Sequence, residues 1–275
     1  MKHTRLGRNL LVIAAGAALG LLPAMSASAA GTQVYSGKGW KALADIHSLS
    51  GDGTGYTIQF ASADAKTKLT PAAKQAAAQL TSVTGIKFTL STTIKASTEA
   101  CATTPRHVLT LGAKYRPLDG QAGMSGGWNC YNTADRSAWG GWAWIDTEYW
   151  TEPNWFSTDA TVNASKIKNA VVHEIGHTIG LDHPNKDLDG DGTVASFECD
   201  LTTDKYLPVM CSPNGGYTAA ADGGKFTSLE TPGLKQLAAN WTLPAPAAKK
   251  GPETVAPGAG AGVGVEMGAF GGSAS

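Results

Sequence analysis

His173-Glu174-Ile175-Gly176-His177-Thr178-Ile179-Gly180-Leu181-Asp182-His183-Pro184 is the stretch from which the rest of the chain can be read. Residues four apart on a helix share one face, so His173 and His177 present two imidazoles to one point. Glu174 lies one position further round, where it reaches a water on an ion held there rather than the ion itself. Gly180 can adopt a positive φ and end the helix in a sharp turn. That turn can return His183 as a third ligand. Three nitrogens leave a fourth tetrahedral position for water, the arrangement of a catalytic rather than a structural zinc site.

The flanking residues fit this reading. Ile167, Val171, Ile175 and Ile179 form an apolar stripe suited to packing on a sheet, which predicts a helix over about 163–179. Asn163-Ala164-Ser165 has the pattern of a glycosylation sequon, and Asn163 is read more simply as the helix N-cap.

The spacing HExxHxxGxxH resembles the metzincin clan of zinc endopeptidases. The resemblance covers about 150–245; within the clan it is matrixin-like, with a serralysin-like Pro184 after the third histidine. It implies an α+β fold, with a twisted mixed sheet, an active-site helix and a C-terminal helix. It also implies Zn2+ on His173, His177 and His183, Glu174 as base, and a methionine turn beneath the metal. Tyr206-Leu207-Pro208-Val209-Met210-Cys211 supplies that turn, with Met210 in the role. Ser212 stands where serralysins and astacins carry a tyrosine, so no tyrosine ligand is expected. No matrixin cysteine-switch motif precedes the site. Clan resemblance further implies that an extended peptide substrate pairs with an edge strand within 139–147.

A second metal loop follows. Asp187-Leu188-Asp189-Gly190-Asp191-Gly192-Thr193-Val194-Ala195-Ser196-Phe197-Glu198 matches the EF-hand loop, with carboxylates at positions 1, 3 and 5, Gly at 6 and Glu at 12. Ca2+ on Asp187, Asp189, Asp191, the Thr193 carbonyl and Glu198 would stiffen the link from His183 to Met210. The flanks lack the paired helices of a full EF-hand.

The chain begins as an export signal does: Lys2, Arg5 and Arg8, an apolar run over 10–22, then Ala27-Ser28-Ala29. Removing 1–29 leaves 19 basic against 22 acidic residues, near −3, which favours neither nucleic acid nor an anionic membrane as partner. Cys101, Cys130, Cys199 and Cys211 allow three pairings in an exported chain; local closure favours Cys101–Cys130 and Cys199–Cys211. Residues 30–55 read as an arm or short pro-segment, 56–245 as the catalytic domain, and 246–275 as a disordered Gly/Ala/Pro-rich tail. A secreted, monomeric endopeptidase acting on protein or peptide is expected. Its alternatives are a zinc amidase acting on a cell-wall or other non-protein amide, and a metal-stabilised binding protein. Glu174 speaks against the last, because a structural site has no use for that carboxylate.

Strands are expected over 56–60, 86–90, 107–111 and 139–147. A helix is expected from Thr70-Pro71, with Thr70 as N-cap, to about Val83, and another over about 228–241. The tryptophans at 128, 139, 142, 144, 150 and 155 are read as core and cleft wall rather than as a polymer platform. His47 and His107 are read as ordinary hydrogen-bonded residues.

Overall fold

A computed structural model describes residues 32–247 and the backbone of 255–257. The export signal expected over 1–29 lies outside the described residues, as does most of the 246–275 tail.

The sheet is built from buried, alternating strands. β4 (Tyr56–Phe60) is followed by helix α1 (Ala63–Thr84) and β5 (Phe88–Ile94), and β4 and β5 pair in parallel. β6 (Val108–Lys114) lies parallel to β4 on its other side. β8 (Ser137–Asp146) lies parallel to β6, and β7 (Gly126–Tyr131) runs antiparallel to β8. The last strand, β10 (Val255–Pro257), is antiparallel to β7, so the order is β10-β7-β8-β6-β4-β5. Helix α3 (Ala160–Thr178) packs on β7 and β8 and against α1, which also covers β5 and β6. A short helix α2 (Glu148–Thr151) links β8 towards α3, and α4 (Thr231–Asn240) closes the domain against α1. The result is the α+β, metzincin-like zincin architecture: a twisted, largely parallel sheet with α3 packed on β7 and β8.

Several boundaries differ from the sequence reading. Helix α1 starts at Ala63, with the Ser62 side chain accepting the Ala65 amide at 3.0 Å. Thr70 is therefore not the cap; its hydroxyl donates to the Lys66 carbonyl at 2.6 Å inside the helix. An interior proline costs about 3 kcal/mol. Burial of Leu69, Ala72, Ala73, Ala76, Ala77 and Leu80 carries the helix past Pro71. Asn163 is also not a cap. Asp159 fills that place by accepting from Thr161 and Val162, and Asn163 Oδ1 accepts the Phe156 amide at 2.8 Å.

Residues 32–55 contribute three strands to the folded unit. β1 (Ser36–Gly37) pairs with β2 (Trp40–Ala42), and β2 pairs with β9 (Leu181–Asp182) between the second and third histidines. β3 (Ser48–Leu49) lies parallel to the start of β8. Trp139 and Trp142 are buried with the Cys101–Cys130 bridge in a second apolar cluster, flanked by Trp128 and Trp144. Trp128 stacks on Trp142, with ring centroids 6.0 Å apart. His47 bonds the Tyr35 hydroxyl, and His107 bonds Asp52. Among the described residues no helix is long and apolar enough to cross a membrane.

Candidate active site

The last turns of α3 and the turn that follows bring the three histidines together. Their Nε2 atoms lie 3.0, 3.1 and 3.1 Å apart. His173 Nδ1 donates to the Val209 carbonyl at 2.8 Å, and His177 Nδ1 donates to the Leu181 carbonyl at 2.9 Å. A carbonyl can only accept, so both rings carry their proton on Nδ1 and turn an Nε2 lone pair inward. Lone pairs aimed at one another repel unless a cation sits between them. A triangle of this size leaves a point about 2.1 Å from all three nitrogens, the usual Zn–N distance.

Burial keeps the three imidazoles neutral. It pushes His173 down to about 3, helped by His177, and His177 down to about 4. His183 is also held well below its ordinary value by burial and by the other two rings. Neutral imidazole is the metal-binding form.

Glu174 is fully buried, and neither carboxylate oxygen has a hydrogen-bond partner. Burial raises its carboxyl to about 8. Orphaned buried oxygens are costly, and a metal-held water beside them would satisfy one. The donor set and this orphan fit Zn2+.

Gly180 ends α3 at φ +98°, a left-handed conformation that glycine adopts without strain. The turn after it is held from a distance. Leu43 N–H donates to the Gly180 carbonyl at 2.9 Å, and β2 pairs Lys41 with Asp182 and Ala42 with Leu181. Asp182 Oδ1 accepts the His183 amide at 2.7 Å, while Oδ2 meets Lys41 Nζ at 2.8 Å.

Met210 is buried directly against Gly176, where any Cβ would collide with the methionine sulfur. The glycine inside the motif is thus needed for this contact. The Met210 amide donates to Glu230 Oε1, and Thr227 N–H donates to Oε2, both at 2.7 Å. The Cys199–Cys211 bridge fixes the chain next to Met210. Phe197 N–H donates to the Ser212 carbonyl at 2.7 Å.

In the acidic loop, one carboxylate oxygen each from Asp187, Asp189 and Asp191 lies within 4.8 Å of the others. Asp187 also accepts from the Gly190 and Gly192 amides, and Asp191 Oδ1 accepts from Thr193. Glu198 faces inward, accepting from Leu188, Asp189 and Ala195. These amides hold its carboxyl below its ordinary value.

Sequence reasoning missed Glu230, Asp182, Lys41 and all of β7. Glu230 carried no motif, and β7 hides in Gly126-Gly127-Trp128-Asn129-Cys130-Tyr131, whose glycines read as a turn. β7 corrects the substrate-edge expectation: β8 lies between β7 and β6, so 139–147 offers no free edge. β7 packs directly on the metal helix. A Cβ at Gly127 would meet the Glu174 carbonyl and His177, and Asn129 Nδ2 donates to the Thr178 carbonyl at 2.7 Å. A cluster of buried acids steadies the loop entering β7. Gly123 N–H donates to both Asp146 (2.8 Å) and Glu148 (2.9 Å), and Arg116 grips Glu148 through two nitrogens.

Residues 53–227 match the Reprolysin_5 family model, described as Metallo-peptidase family M12. With the histidine triad and the fold, this defines a zinc metalloendopeptidase, and the chain belongs to the M12 metallopeptidase family. Its reaction is zinc-dependent hydrolysis of peptide bonds in protein or peptide substrates. A search of curated proteins found no match.

Proposed function

We propose that this chain is a secreted endopeptidase in which His173, His177 and His183 hold the zinc and Glu174 is the general base. The observation that carries this reading is the pairing of three inward Nε2 atoms with a buried carboxylate lacking any partner. When bound, zinc polarises the scissile carbonyl and lowers the pKa of a water it holds towards about 7. Glu174 accepts the proton of the attacking water and delivers it to the leaving amine. Beside a dication its carboxyl ionises more readily than burial alone allows, which suits a base. Val209 and Leu181 carbonyls fix the tautomer and aim of two ligands. Met210, pressed on Gly176, supports the floor beneath them.

Substrate is read as an added strand on the outer edge of β7, where backbone amides and carbonyls supply affinity and pockets supply selectivity. Within the clan the chain is read as matrixin-like, with Pro184 as the serralysin-like feature. The acidic loop is read as a calcium site on Asp187, Asp189, Asp191, Thr193 and Glu198 that stiffens the path from His183 to Met210. Two disulfides and the basic-apolar-small beginning support export. The mature protein is read as a monomer.

Glu174→Gln tests the central assignment. The variant should retain one zinc by elemental analysis and lose at least about a thousandfold in kcat/KM on casein or a peptide substrate. Normal turnover by that variant removes Glu174 from the reaction.

A further inference from the structure

The outer edge of β7 already has an occupant. β10 runs antiparallel along it, with Val255 opposite Cys130, Ala256 opposite Asn129 and Pro257 opposite Trp128. The 14 residues 241–254 between α4 and β10 can span at most roughly 45–50 Å when extended. β7 is also the strand seated on the metal helix, through Gly127 against Glu174 and His177 and Asn129 against Thr178.

We infer that the β7 edge is a peptide-receiving surface whose resident partner is this chain's own 255–257 segment, which substrate must displace. The inference rests on the reading of β7 as the substrate strand. An edge has one row of free amides and carbonyls, so two strands cannot use the same stretch at once. The resident is built to be exchangeable. Its pairing covers three residues, and Pro257 has no N–H to extend a ladder, which confines it to an outermost position. Tethering compensates for weak pairing, because a segment on the same chain is held at an effective concentration on the order of millimolar. A competitor that fills the edge for part of the time lowers apparent substrate affinity by the unoccupied fraction and leaves the chemical step unchanged.

The test compares the zinc-loaded secreted chain with one ending at Ala247, and with full-length Ala256→Pro, which removes the central amide of β10. Two readings are taken: hydrolysis of a peptide substrate, and amide hydrogen exchange at Trp128, Asn129 and Cys130. Both altered proteins should show KM lowered roughly two- to tenfold with kcat unchanged. Exchange at those amides should also be faster than in the full chain. A synthetic peptide of residues 250–260 should inhibit the shortened enzyme competitively. Unchanged KM and unchanged exchange overturn the inference. Faster exchange without a change in KM also overturns it, since the tail would then cover an edge that substrate does not use. Exchange needs no activity, so failure of the peptidase reading would appear separately, as absent hydrolysis in every form.

Discussion

The Met210 amide donates to the buried Glu230 side chain at 2.7 Å, which ties the turn carrying Met210 to the entry of α4. One residue earlier, the Val209 carbonyl receives the His173 ring. His173, Met210 and Glu230 thus form one connected unit.

That unit should make stability depend on pH in a traceable way. Burial raises Glu230 from 4.5 to about 7, although the Met210 and Thr227 amides favour its ionised form. Because the folded value lies above the unfolded one, its contribution is complete below pH 4.5 and is lost as pH rises through about 7. The upper bound on that loss is about 3 kcal/mol. Glu230→Gln should be less stable at acid pH, having lost an acceptor, and should show a flatter decline between pH 5 and 8. Urea unfolding of both proteins across that range measures the difference; parallel curves would refute the assignment.

Gly176→Ala should weaken both packing and metal retention. The added methyl meets the Met210 sulfur, and Met210 has no exposed side to move towards. Overpacking of this kind costs about 1–3 kcal/mol. Thermal unfolding should report the packing loss, and competition with a chromogenic chelator should show faster zinc loss. Wild-type zinc retention would mean that the methionine contact does not support the ligands.

Replacing Cys199 and Cys211 by serine removes a bridge across 12 positions that ends beside Met210. Loop-closure entropy puts the loss near 3 kcal/mol. The double variant should melt at lower temperature and release zinc faster, because the chain from His183 to Met210 is then held by fewer constraints.

Calcium should raise the melting temperature if the acidic loop binds it. At a hundredfold excess over the dissociation constant the gain is about 2.7 kcal/mol. Asp187→Asn combined with Asp191→Asn should abolish the shift. Identical melting in calcium and in EGTA, together with no heat of binding, would count against the site.

Much of the centre was legible from local spacing. His173, Glu174 and His177 are read on one helix turn because a 3.6-residue period is a property of the chain itself, and Gly180 marks the turn for the same reason. The third ligand and Met210 are read through a pattern of offsets. Boundaries were less legible where two signals competed. Thr70-Pro71 resembles a helix start, yet the burial of Leu69, Ala72 and Ala73 favours continuing from Ser62. β8 was found from its aromatic alternation and β6 from the strand expected over 107–111, but β7 and the order of the three were not, because strand order is set by pairing partners distant in sequence.

The amino-acid order by itself determined the helix, the common face of His173 and His177, the glycine stop and the period of the main strands, since each depends on residues within a few positions. Only the tertiary structure decided that β8 is paired on both sides and that β7 lies between it and β10. It alone brought Lys41 and Leu43 to the turn before His183, and Glu230 to Met210. Those contacts join residues from 20 to about 140 positions apart. Their energy is realised only once the burial of the whole core has offset the entropy of closing such loops.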